Sequence, residues 1–191
     1  VAKFRDRFPD VKIHLQTLVS PHLAQALLTQ QAEVGVATIF KLDHPNLEVR
    51  PIYEDRLVAV LPATHPLADH KELHVRDLVN LNLIGYDVDS PFGQLIEQMF
   101  QSEGLEPRLS VEVRLTHIAC AMVQAGAGVA IVDELAVVGR VWPDVVVRPI
   151  LPATVMPVNL LHLRFEPLSR LAQDFIDTLT NLRYHSLRAI S

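Results

Sequence analysis

A chain of 191 residues, 49% of them hydrophobic and 20% charged, can bury a sizeable core and is long enough for one two-lobed unit or two small domains. Its 22 acidic and 17 basic residues leave a net charge of −5 with no Lys/Arg cluster, which argues against this chain as the part that itself holds nucleic acid. The single cysteine, Cys120, excludes an intrachain disulfide and favours a reducing compartment; with no apolar run near the ~18 residues of a membrane span and no signal-peptide core in residues 1–6, the expectation is a cytoplasmic protein without membrane partners.

In chain order, residues 1–8 read as a helix end stopped by Pro9, and Val11, Ile13 and Leu15 alternate with Lys12, His14 and Gln16 as a half-buried strand. Ser20-Pro21 opens a helix with Leu23, Ala26, Leu27 and Gln30 at helical spacing, and residues 34–37 complete a strand, helix, strand unit with a parallel crossover that ends at Thr38. Residues 57–61, bounded by Glu54-Asp55-Arg56 and Pro62, read as a strand buried on both faces, followed directly by the turn His65-Pro66-Leu67-Ala68.

The middle repeats the pattern. Residues 82–86 form a strand; Ser90 caps a helix with Pro91 first, a buried stripe of Phe92, Leu95, Ile96, Met99 and Phe100, and Gly104 at its close. Residues 111–113 are the next strand, Thr116 the candidate N-cap of a helix lined by Ile118, Met122 and Val123 and ended by Gly126, and 129–132 the strand after it. A late strand at 158–163 and an amphipathic helix at 168–182, with Leu171, Phe175, Ile176 and Leu179 inward, close the chain. The alternation predicts an α/β fold, and the long stretch between hinge strand and late strand predicts two lobes joined by two crossing strands: residues 1–61 with 156–191, and residues 62–155. The cleft between such lobes is the default ligand site.

The residues 53–68 and the segments Phe8-Pro9-Asp10-Val11, Ser20-Pro21, Ala32-Glu33-Val34-Gly35-Val36-Ala37, Asp89-Ser90-Pro91-Phe92-Gly93 and 122–133 together resemble the effector-binding domain of LysR-type transcriptional regulators, over essentially the whole chain. Within the family they resemble most the branch of the lysine-biosynthesis regulator LysR and the opine-responsive regulators. The resemblance implies two Rossmann-like lobes of the type 2 periplasmic-binding-protein kind. Two departures stand out: Gln31 and Glu33 replace a usual Gly and Asp, and the chain begins inside the domain's first helix, so the family's first strand, the loop after it and the winged helix-turn-helix lie outside the sequence.

Helix starts supply the pocket chemistry, since free N–H groups and the positive end of the dipole favour a carboxylate there. Ser90, Phe92 and Gly93 offer a hydroxyl and two amides, with no Cβ on Gly93 to block approach, and Ser20 offers a second helix start from the other lobe. By resemblance, Thr38, Thr116 and His117 also face the cleft, and Asp133 pairs with a ligand ammonium or guanidinium. Taken singly, each Ser or Thr reads equally as an ordinary helix cap. His65, His70 and His74 lack the converging set a metal needs, Asp87-Val88-Asp89 lacks the Gly and Glu of a calcium loop, and no dinucleotide or hydrolase motif is present; no cofactor, metal or enzymatic activity is expected. The expected function is a sensor that binds a small anionic or zwitterionic metabolite, as a homodimer or tetramer in full length, with DNA held only by the absent domain. A solute-binding protein of a transport system, with the same two-lobed fold, is the alternative.

Overall fold

The computed structural model describes residues 1–18, 20–38, 44–139 and 142–181. The run 57–61 is the second half of a 16-residue strand, β2 (Leu47–Pro62), and each of its residues is at most 1% exposed, as expected of a strand covered on both faces. The chain divides into two compact units, Val1–Glu54 with Pro157–Ser191, and Asp55–Met156. Strands β2 and β8 (Val155–Leu163) run from one into the other.

The first unit holds α1 (Ala2–Arg7), α2 (Ser20–Leu28), β1 (Gly35–Ala37), the first half of β2, most of β8 and α6 (Arg170–Thr180). Leu27, Leu47 and Leu161 form its core, with Leu23 packed beside them. Strand β1 pairs antiparallel with β8, Gly35 opposite Leu161. The expected strand at Val11, Ile13 and Leu15 is not formed and neither, therefore, is the parallel crossover: residues 11–18 carry no ladder, and Leu15 is 76% exposed. An alternating sequence makes a strand only beside a hydrogen-bonded neighbour, and none pairs with it among the described residues.

Helix α2 ends before Gln30, which is exposed with φ +56 instead of lying on the buried stripe. The Gln31 N–H donates to Ala26 O (2.8 Å) and the Gln30 N–H to Leu27 O (3.0 Å), closing the helix through a left-handed residue. The position that calls for glycine is thus Gln30, one before the Gln31 picked out from the family pattern. In α6 the inward residues are Ala172 and Ile176, with Phe175 edge-on to Phe4 at 5.4 Å; Leu171, expected inward, is 42% exposed because it precedes that stripe by one position. The last residue of the expected helix, Leu182, lies outside the described residues.

In the second unit the strand order is β2, β6 (Val129–Asp133), β4 (Leu83–Tyr86), β5 (Leu109–Val113). Strand β4 is parallel to both neighbours, and β2 is antiparallel to β6. On β2's other side runs β7 (Val145–Leu151), itself paired with the short β3 (Leu73–His74) that leads into α3 (Val75–Leu78). The sequence reading has no strand at β7, where Pro149, opposite Val58 in the ladder with β2, interrupts the run.

Alternate residues of β2 feed two cores. Leu57, Ala59 and Leu61 pack with Ile96, Met99 and Phe100 of α4 (Pro91–Gln101), while Val58 and Val60 pack with Ala119, Cys120 and Val123 of α5 (Thr116–Gln124). Cys120 is fully buried, and burial, with Asp133 nearby, pushes its thiol up to about 11. Ile118, expected inward, is 42% exposed: the helix begins after Leu115, which turns the stripe to Ala119, Cys120 and Val123. The His65-Pro66-Leu67-Ala68 turn is a short 3-10 helix in which His65 Nδ1 accepts the Leu67 N–H (3.2 Å) and Arg148 of β7 donates to Ala68 O.

Candidate functional site

Because β4, β5 and β6 are parallel, their carboxyl ends share one edge of the second unit's sheet, the edge at which open α/β sheets bind ligands. Helices α4 and α5 follow β4 and β5 there, and the antiparallel register of Leu57 with Asp133 brings Asp55 and Arg56 to the same edge.

The chain leaves β4 at Tyr86 and turns through Asp87, whose O accepts the Ser90 N–H (2.8 Å). Ser90 Oγ then accepts the Gly93 N–H (2.9 Å), and Ser90 O the Gln94 N–H (3.0 Å). Of the first-turn amides, Pro91 has none and those of Gly93 and Gln94 are bonded, so Phe92 N–H and the Ser90 hydroxyl hydrogen are the donors left for an incoming anion. The glycine serves a different purpose from the one expected. A Cβ on Gly93 would stand 2.1 Å from Asp87 O and 3.0 Å from Tyr86 O, so its absence lets the helix close on the strand end and does not clear a path for a ligand, and its amide is already taken by the cap. The Phe92 ring stacks on Tyr86, centroids 5.2 Å apart.

Helix α5 starts differently. Thr116 was expected as its cap, but Leu115 holds that place and caps nothing with its side chain. The Thr116 hydroxyl instead donates to Asp133 Oδ1 (2.9 Å) and accepts from Tyr86 OH (2.7 Å), tying together the ends of β4 and β6. Asp133 Oδ2 accepts the Ala136 N–H (3.2 Å), capping the turn Glu134–Val137. Burial pushes the Tyr86 phenol well above its ordinary range. Glu134 receives Arg56 in a two-pronged pair, Nε to Oε2 at 3.0 Å and Nη2 to Oε1 at 2.6 Å.

Asp55 completes the edge. It is 2% exposed; Oδ1 accepts the Arg56 N–H (2.8 Å) and Oδ2 makes no hydrogen bond of normal geometry. Burial, reinforced by the Asp133 and Glu134 carboxylates and tempered by the Arg56 and Leu135 amides, pushes its carboxyl up to about 6.

Of the expected site residues, Ser90, Phe92, Gly93, Thr116 and Asp133 gather around Tyr86, and His117 is exposed at the second position of α5. Thr38, half-buried just after β1, and Ser20, first residue of α2 with its side chain outside the described residues, belong to the first unit. Tyr86, Asp55 and the Arg56–Glu134 pair escaped the sequence reading: Tyr86 stood as the last residue of a buried strand, and Asp55 and Arg56 as the charged border of another.

This arrangement, a parallel-stranded edge with a capped helix start beside an acidic strand end, is that of an open α/β sheet with a candidate ligand site at its strand ends. The particular family is given by residues 1–183, which match the LysR substrate binding domain, and the chain belongs to that family. Its relatives include the transcriptional activator protein LysR of Escherichia coli (strain K12), 30% identical over 90% of this chain and 55% of the relative. The regulatory protein NocR of Agrobacterium tumefaciens (strain T37) is 28% identical over 94% of this chain and 61% of the relative. The chain thus spans 55% and 61% of the length of these two relatives and as little as 41% of others it matches. The BenM effector binding domain with its effector benzoate has the same fold, with TM-score 0.75 and 23% identity over 97% of this chain and 84% of that one. These relatives are regulators, and none supports the transport reading. No helix among the described residues is long and apolar enough to cross a membrane.

Proposed function

We propose that the chain is the effector-sensing part of a cytoplasmic LysR-type regulator, and that its effector is a small amino-acid-like zwitterion or organic anion whose carboxylate meets the start of α4. The observation that carries this is the α4 start itself: the Phe92 amide and the Ser90 hydroxyl remain as donors at a helix N-terminus, beside Asp133 at the end of β6. A carboxylate at such a start gains roughly 0.3–1 kcal/mol from the dipole, more when partly buried. Both Asp133 oxygens already accept one hydrogen bond, and each retains acceptor capacity for a ligand ammonium. Benzoate, the effector of the BenM neighbour, is a carboxylate, and the resemblance of residues 89–93 and 122–133 to the lysine-biosynthesis and opine-responsive branch favours the amino-acid side of the class. Effector binding shifts the balance of conformations and, through the family's homodimer, the grip of an N-terminal winged helix-turn-helix on DNA.

Thermal-shift titration with lysine, diaminopimelate, arginine, ornithine, opines, benzoate and dicarboxylic acids tests the reading. A ligand at 100 times its Kd stabilises by about 2.7 kcal/mol, several degrees in Tm for a domain of this size. Ser90→Ala is expected to weaken the selected ligand about tenfold while costing the fold about 1 kcal/mol through the lost cap. Unchanged affinity in both Ser90→Ala and Asp133→Asn rejects the site.

A further inference from the structure

Strands β2 and β6 carry the charges of their shared edge on opposite faces. Leu57 of β2 and Ile131 of β6 pack with α4, and Asp55 and Asp133 stand two residues beyond them towards the edge. By the alternation of a strand, both carboxylates therefore continue the α4 face. Arg56 continues the other face, that of Val58, and reaches Glu134. On the α4 face, no basic side chain among the described residues pairs with either acid. Asp133 receives the Thr116 hydroxyl and the Ala136 amide, both neutral donors. Asp55, 2% exposed, keeps Oδ2 without a hydrogen bond of normal geometry. The other titratable groups around this edge are the exposed Glu54 and His117, the Tyr86 phenol and Cys120 thiol that burial keeps protonated, and Asp87, paired with Arg114 at 3.7 Å.

We propose that Asp55 is a specificity-determining residue of the effector site: with Asp133 it forms an acidic pair that selects effectors carrying a cationic group as well as a carboxylate, over plain organic anions. The inference rests on the effector site proposed at the start of α4. There the carboxylate takes the Phe92 amide and the Ser90 hydroxyl, the cation meets Asp133, and buried Asp55 acts on it from behind through its charge. The proton that Asp55 holds below about 6 leaves when the cation arrives, because a nearby positive charge favours the ionised form. Affinity for such an effector therefore rises with pH, by about fivefold to tenfold from pH 5 to 7 when bound Asp55 titrates a unit or more lower.

The test is calorimetric titration with lysine and arginine, against benzoate as the plain anion, at pH 5, 6 and 7. The expected result is that lysine or arginine binds more tightly than benzoate at pH 7, weakens about fivefold to tenfold at pH 5, and releases a proton there, read by comparing buffers of different ionisation heat. In Asp55→Asn, with folding verified by circular dichroism, the pH dependence and the proton release disappear. Failure of both amino acids to bind, tighter binding of benzoate, a flat pH profile, or a profile that survives in Asp55→Asn, as it would if His117 carried it, overturns the proposal. Benzoate binding that Ser90→Ala abolishes would keep the site at the start of α4 while the selectivity falls, so the two readings fail separately.

Discussion

Helices α4 and α5 begin at the same sheet edge and meet the same difficulty, unsatisfied first-turn amides, in opposite ways. At α4 the cap is local: Ser90 bonds the Gly93 N–H three residues on, and the helix closes against its own strand. At α5 the hydroxyl that could have capped lies one residue inside the helix, and it bonds residues 30 and 17 positions away, Tyr86 and Asp133. The first solution fixes one helix on one strand; the second fixes two strand ends to each other and leaves the α5 amides uncapped by any side chain. A binding edge needs both, a rigid donor set and a framework that keeps the opposing carboxylate in place.

The largest effect is expected from breaking the close approach on the α4 side. Gly93→Ala would gain up to about 1 kcal/mol in helix propensity. The added Cβ, however, meets the Asp87 carbonyl at 2.1 Å, a backbone atom that cannot swing aside. Overpacking of this kind costs typically 1–3 kcal/mol, and with backbone on both sides we expect a net loss of about 2 kcal/mol, read as a fall in Tm of several degrees. A stability equal to the parent would show that the turn at Asp87 yields and that α4 is not fixed by this contact.

Asp55 sharpens the comparison, because it stands on the same edge as Asp133 without a donor such as Thr116 for its second oxygen. Its carboxyl is pushed from 3.8 to about 6, so between these values the folded chain holds a proton that the unfolded chain has released. Its contribution to stability therefore falls as pH rises through this window and stays at the lower level above about 6. Asp55→Asn removes that slope, and at neutral pH, where the buried carboxyl is charged, it should raise stability by roughly 1–2 kcal/mol, the relief of burying a charge being partly offset by the amide donor left without a partner. Urea unfolding at several pH values reads both; an unchanged slope in the variant would place the titration elsewhere.

The α5 side is tested by Thr116→Val, which keeps the shape and leaves Tyr86 OH and Asp133 Oδ1 each short of a partner. About 1–2 kcal/mol should be lost. A double-mutant cycle with Tyr86→Phe should return a coupling of at least about 0.5 kcal/mol, since the two groups touch. Additive losses would mean that the strand ends are held by packing alone.

This contrast also explains what could be read from the sequence. The strand 57–61, the α4 cap and the stripe of Ile96, Met99 and Phe100 were legible because period, cap and proline all lie within a few residues of one another. The relay through Thr116 was not, since nothing local marks a hydroxyl as bonded to a strand end 30 residues before it. Asp55 was visible as a charge but not as a buried one: its burial is decided by β2's neighbours, not by its own surroundings in the chain. Residues 11–16 failed in the reverse sense, with a local pattern and no partner strand among the described residues to complete it.

The smallest expected effect lies at a third helix terminus, the end of α2, where neither solution is used. Gln30 takes φ +56 and both closing hydrogen bonds run through it, so the backbone needs a conformation that its side chain disfavours. Gln30→Gly relieves this strain, but glycine also gives the unfolded chain more freedom to lose, which offsets part of the gain. The left-handed region costs a non-glycine residue of order 1–2 kcal/mol, the larger of the two terms, so a net stabilisation of about 0.5–1 kcal/mol is expected. The side chain is exposed and no core contact changes with it, so the gain should appear in chemical denaturation as a higher midpoint at unchanged m-value. A destabilised Gln30→Gly would mean that the side chain itself holds the end of α2, and that the glycine expected from the family pattern belongs at Gln31 after all.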